Sequence, residues 1–180
     1  MLVRSIAASL AAVALLSTAA QAADLIIPTT PQPIYEAAGF DWEGLYVGAR
    51  AGGQWFPAAG YGVLGGVVGF NYLPTDNLLL GAEVTGDYTW NDTFQGGEFF
   101  LNARGGVVVS DVALIYALAG AGFYTNNGNA VGLYQLGAGV EFAVTDAISL
   151  RGELAGQGSY VDNGRFFDAY KATAGVAYHF

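Results

Sequence analysis

The last eleven residues of the chain, "YKATAGVAYHF", alternate without a break: Tyr170, Ala172, Ala174, Val176, Tyr178 and Phe180 against Lys171, Thr173, Gly175, Ala177 and His179. A helix brings residues three or four apart onto one face, whereas a strand points successive side chains to opposite faces. One face here is apolar along its whole length and the other is polar or small. A strand of that kind needs an apolar covering, and lipid supplies one.

The same alternation recurs upstream, in segments near the ~9–11 residues that an inclined membrane strand needs. Eight strands are expected, at 44–55, 61–73, 78–90, 98–109, 113–124, 131–144, 148–160 and from 167 onward. In the third, Leu80, Ala82, Val84, Tyr88 and Trp90 oppose Gly81, Glu83, Thr85, Asp87 and Thr89. In the sixth, Tyr134, Leu136, Ala138, Val140 and Phe142 oppose Gln135, Gly137, Gly139 and Glu141. The fifth is apolar on both sides, so its faces stay unassigned. Tight turns are expected near 74–77, 110–112 and 145–147, and longer loops near 56–60, 91–97, 125–130 and 161–166. Short turns at one end and longer loops at the other are the pattern of outer-membrane barrels.

Composition narrows the choice. The chain is 53% hydrophobic but only 12% charged, with 27 glycines. Its longest apolar run past the leader, Val112 to Tyr124, is broken by glycine and too short for a membrane helix, which needs about 20 residues. A closed barrel reconciles an apolar whole with unremarkable parts, because every backbone group is paired while the outside meets lipid. The expected class is all-β: an eight-stranded antiparallel up-and-down transmembrane β-barrel over 42–180. A secreted soluble barrel would carry its apolar face inward and its charges outward, the reverse of this pattern.

Residues 1–22 read as a signal peptide: Arg4, an apolar run from Ile6 to Leu16, then Ala20-Gln21-Ala22 for cleavage. Residues 23–41, broken by Pro28, Pro31 and Pro33, read as a flexible periplasmic segment. With no cysteine, neither a disulfide framework nor a thiolate metal site is available.

Four basic residues, Arg50, Arg104, Arg151 and Lys171, fall on the polar faces, with Glu83, Asp87, Glu141 and Glu153 as their counterparts. An eight-stranded barrel has room inside only for side chains, and buried charges there must pair. Neighbouring strands suggest Glu83 with Arg104 and Glu141 with Arg151. These groups form either a polar plug or an ion-conducting gate. The net charge of −9 argues against nucleic acid. Aromatic residues gather at strand ends: Trp55, Tyr61, Tyr88, Trp90, Tyr124, Tyr134 and Tyr160 at the outer end, Trp42, Tyr46, Tyr72, Phe142, Tyr178 and Phe180 at the inner. Two interfacial belts are what amphipathic rings favour.

No pattern in the chain names a catalytic centre, a cofactor, a metal or a small-molecule substrate. Gly62, Gly65, Gly66 and Gly69 imitate a phosphate-binding run, but no helix pattern follows. The single histidine, His179, faces inward at the rim without an evident nucleophile.

The opening Trp42-Glu43-Gly44-Leu45-Tyr46-Val47-Gly48 resembles the W-x-G-x-Y-x-G start of the alphaproteobacterial outer-membrane β-barrel family, the porin-family or opacity-type surface antigens. "LLLGAEVTGDYTW" (78–90), "RGGVVV" (104–109), "LGAGVEFAVTD" (136–146) and the aromatic ending extend the likeness over about 40–180. The layout is also similar to the transmembrane domain of outer-membrane protein A, which implies a lumen gate at Glu83, Arg104, Glu141 and Arg151. The resemblance further implies a Gram-negative outer-membrane location amid lipid and lipopolysaccharide. It implies a structural and surface-antigen role, with a narrow diffusion channel or a loop-mediated adhesin as alternatives. It also implies that the ending Val176, Tyr178, Phe180 is read by the barrel-assembly machinery.

Overall fold

A computed structural model describes residues 40–126, 129–161 and 165–180. The expectations for 1–22, and for 23–41 as far as residue 39, fall outside the described residues. Eight strands form: β1 (Gly44–Phe56), β2 (Ala59–Thr75), β3 (Leu78–Trp90), β4 (Gln95–Ser110), β5 (Ala113–Asn126), β6 (Asn129–Ala143), β7 (Ile148–Ser159) and β8 (Ala169–His179). Each pairs antiparallel with its sequence neighbour, and β8 pairs back onto β1. The barrel is closed, so no edge strand is left unpaired.

The pleat delivers the expected two faces. Leu64, Val84, Leu101, Ile115, Val140 and Leu154 stand exposed on the outside; Leu101 is 63% exposed and Leu154 68%. Side chains at the intervening positions are buried in the lumen. Trp55, Tyr88, Trp90 and Tyr160 ring one end of the outer surface, and Tyr72, Phe142, Tyr178 and Phe180 ring the other. Four aromatics expected in those belts point inward instead. Trp42 and Tyr46 are buried, and Tyr61 and Tyr124 line an interior cavity. Strand parity decides the face, and height along the strand does not.

The loops also differ from expectation. Strands run further than their alternation shows, so β1–β2 is joined by residues 57–58 and β3–β4 by residues 91–94. By the strand bounds, the residues between Ser159 and Ala169, of which 162–164 are outside the described residues, make the longest connection. Side-chain caps hold the tight ends: Thr145 Oγ1 accepts from Ile148 N at 3.0 Å, and Asn91 Oδ1 from Phe94 N at 2.7 Å. Such local bonds are why Asn and Thr suit turns.

The two mouths are unlike. At the end holding Phe40 and Phe180, an apolar stopper of Trp42, Leu79, Leu114 and Leu118 fills the bore, with Phe40 and Leu73 packed against it. Asn71 Nδ2 donates to Trp42 O at 3.1 Å, and Phe40 N donates to Asp111 O at 3.2 Å. Phe40 and Asp41, assigned by sequence to the lead-in segment, therefore belong to the barrel. Gly44 enters β1 at φ 113°, a left-handed conformation that only glycine adopts without strain. This turns the chain from the stopper into the wall.

Candidate functional site

Every charge assigned to the polar faces lies in the lumen. Arg50 is carried by β1, Glu83 and Asp87 by β3, Arg104 by β4, Glu141 by β6, Arg151 and Glu153 by β7, and Lys171 by β8; all are buried. They meet in stacked tiers. Nearest the stopper, Glu141 takes Arg104 Nη2 at 2.9 Å and Ser149 Oγ at 2.6 Å, with His179 Nε2 at 3.2 Å.

In the middle tier, Glu83 Oε2 accepts from Tyr46 OH at 2.7 Å and Arg151 Nη2 at 3.0 Å, with Arg104 Nη1 at 3.7 Å. Arg104 also donates to Tyr46 OH at 2.8 Å. Its guanidinium carbon lies 3.9 Å from the centre of the Tyr116 ring, a cation–π contact. Tyr116 OH donates to Glu153 Oε1 at 2.8 Å, and Arg151 bonds the same carboxylate.

Above these, Arg50 grips Asp87 with both arms of its fork, Nε at 2.9 Å and Nη2 at 2.7 Å. Its third nitrogen, Nη1, reaches Glu153 at 3.1 Å. Bidentate geometry of this kind combines strength with orientation. Lys171 Nζ joins Asp87 at 2.8 Å and also bonds Glu98.

The expected pairs change on inspection. Glu83 and Arg104 do meet, but as the longest of the ion pairs. Glu141 and Arg151 stand opposite each other in the β6–β7 register yet form no direct ion pair. Arg151 reaches past its neighbour to bridge Glu83 and Glu153, while Arg104 takes Glu141 from β4, a strand that is not adjacent. A long guanidinium stem in a narrow bore finds partners across the lumen as easily as along the wall.

Sequence reasoning also missed members. Glu98 makes five lumen carboxylates against four bases. The signal was present, since Glu98 shares parity with Asn102 and Arg104. His179 also lies in the lumen, beside Glu141. Tyr46 and Tyr116 were lost differently: the first to the belt reading, the second because β5 is apolar on both sides.

Glycines make room for both rings. A Cβ at Gly139 would lie 2.5 Å from the Tyr116 ring, and one at Gly69 would overlap Tyr46. Gly69→Val is expected to displace Tyr46 from Glu83 and cost about 1–3 kcal/mol, the usual range for overpacking. Urea unfolding of the refolded protein in micelles checks this, and an unchanged midpoint would contradict it. The glycine run of β2 is thus close packing: Gly62 lies under Trp90, and Gly65 faces Asp87.

Ser149, His179 and Glu141 imitate a hydrolytic triad by residue type only. A relay needs the serine to donate to one imidazole nitrogen while the acid holds the other. Here Ser149 donates to Glu141, and both crowd Nε2. Nδ1 has no partner among the described residues.

With this geometry in hand, solved structures supply the comparison. The N-terminal β-barrel domain of Pseudomonas aeruginosa OprF aligns with a TM-score of 0.54 at 18% identity, covering 75% of this chain and 97% of that one. Its fold is that of the eight-stranded outer-membrane barrels. Ail, the attachment invasion locus protein of Yersinia pestis, aligns at 0.55 and 13% identity, covering 77% and 99%. Neisserial surface protein A aligns at 0.51 and 12% identity, covering 76% and 96%. No family model and no curated protein matches the chain. At these identities the likeness is one of fold.

Proposed function

We propose that this protein is an integral outer-membrane barrel of a Gram-negative envelope, exported on a cleaved signal peptide and sealed along its bore. Its work is structural: it stabilises the envelope and presents short surface loops, as a surface antigen of the opacity type does. The observation that carries the reading is the filling of the lumen. A charge network braces six strands across the bore, and an apolar stopper closes one mouth beneath it. Lipid and lipopolysaccharide are the partners of the exposed apolar band.

A narrow ion channel is the second reading. It is favoured by Arg151 Nε and Nη1, which have no protein partner among the described residues and mark where hydration could enter the network. An adhesin role is a third reading, with the loops near 91–97 and 161–166 as the segments that would carry it.

Barrel-assembly machinery is the proposed reader of Val176, Tyr178 and Phe180, whose side chains all face outward. After expression in a Gram-negative host, folded protein is expected in the outer-membrane fraction, migrating faster on a gel before heating than after. Phe180→Ala is expected to reduce that folded band several-fold. Recovery of the wild-type chain as a soluble periplasmic protein would refute the location. A full folded band from the variant would refute the insertion signal alone.

A further inference from the structure

The mouth opposite the stopper is not filled by the described residues. A cavity of about 490 Å³ is lined by residues from the ends of all eight strands that lie away from Phe40 and Phe180. That volume is in the range of small-molecule sites. Its walls are Tyr61, Phe94, Tyr124, Val131 and Leu133. Its floor is Gln54, Glu98 and Gln157, each about 98% buried.

The floor's hydrogen bonding is one-sided. Gln54 Nε2 already donates to Glu98 Oε1 at 2.7 Å and to Gln157 Oε1 at 2.6 Å. Gln157 Nε2 donates to Glu98 Oε2 and Gln135 Oε1, both at 3.3 Å. The donors are engaged, whereas Gln54 Oε1 takes no hydrogen bond among the described residues. Glu98 Oε1 keeps a lone pair beyond the one Gln54 uses, since a carboxylate offers about four acceptor positions. The lining holds two carboxylates, Glu98 and Asp168, and Lys171 Nζ, which is outside the lining, bonds Glu98 Oε2 and leaves Oε1 to the cavity side. Asp168 Oδ2 accepts from Ser159 N at 2.9 Å.

We propose that this vestibule is a binding site for small amphipathic amines. An apolar or aromatic body lies among Tyr61, Tyr124 and Leu133, and an ammonium donates to Gln54 Oε1 and Glu98 Oε1. The aromatic walls favour a cation over an anion. On the floor an anion would meet Gln54 Oε1 and the Glu98 carboxylate, with the amide donors of Gln54 and Gln157 already committed. The inference goes beyond a sealed structural barrel: the cavity rests on Glu98, the last carboxylate of the charge network, and leaves the tiers beneath it closed.

The test uses three probes of one shape in nanodisc-embedded protein: tryptamine, its alcohol tryptophol and its acid analogue indole-3-propionate. Binding is read from the NMR shifts of the Val131 and Leu133 methyls and the Gln54 side-chain amide. Tryptamine is expected to give saturable shifts at these groups and to bind about tenfold or more tighter than the alcohol, a difference of one charge-assisted hydrogen bond. The acid is expected not to saturate. Leu133→Trp, which fills the cavity, is expected to abolish tryptamine binding while keeping the heat-modifiable band; if that variant fails to fold, Val131→Trp at the rim takes its place. Shifts that never saturate, equal binding of the acid, or undiminished binding to the filled variant would each overturn the proposal.

Discussion

Glu83→Ala is expected to lower the unfolding free energy by about 3–5 kcal/mol, the cost of removing one partner from a buried ion pair. Glu83 is 1% exposed and is the acceptor for Tyr46 and Arg151, with Arg104 close by. Its loss leaves two guanidiniums facing each other in a bore with no other carboxylate free to move in. Glu83→Gln keeps one carbonyl acceptor, enough for Tyr46, and removes the charge, so it is expected to fall between the alanine variant and wild type. Urea titration in micelles measures all three. Equal stability of wild type and Glu83→Ala would mean that the middle tier is hydrated and slack, and that the network is not a brace. Such pairs are not stabilising against a well-packed apolar core. Their role here is to fix which strands approach which.

Leu101→Arg is expected to cost about 2–4 kcal/mol in lipid, the penalty for a basic residue at the midplane of a membrane barrel. Leu101 sits in the middle of β4, opposite Val84 of β3 and Ala121 of β5, and is 63% exposed. On a water-soluble barrel an exposed leucine changed to arginine would be nearly neutral, since surface substitutions usually stay within ~0.5 kcal/mol. The variant therefore separates the two environments by sign and size. Unfolding of both proteins in vesicles, followed by tryptophan fluorescence, gives the difference. A Leu101→Arg variant as stable as wild type would place this surface in water.

Strand number and order, and the facing of the strands other than β5, were legible because alternation is a local property of the chain. Leu101, Ala103 and Val107 against Asn102 and Arg104 announce β4 without reference to any other strand. The lumen charges were legible for the same reason. Their partners were not. Pairing depends on register around the closed barrel and on the reach of side chains across it, so Arg104 finds Glu141 on a strand two steps away around the wall. The stopper was hidden too. Phe40 and Trp42 precede the first strand and follow a proline-broken stretch, and nothing local says that they fold back into the bore. Strand ends were underestimated where polar or small residues, as at Gln95 and Gly96, continue a ladder that alternation no longer marks.

The most direct measurement is single-channel conductance of the refolded mature protein in a planar bilayer, with Glu83→Ala beside it. A lumen closed by the charge tiers and the Trp42 stopper gives no steady conductance in the wild-type protein. Loss of one carboxylate is not expected to open it, because the stopper lies below. Steady small openings in the wild type, altered in size or lifetime by Glu83→Ala, would contradict the sealed barrel and make the charged lumen an ion gate.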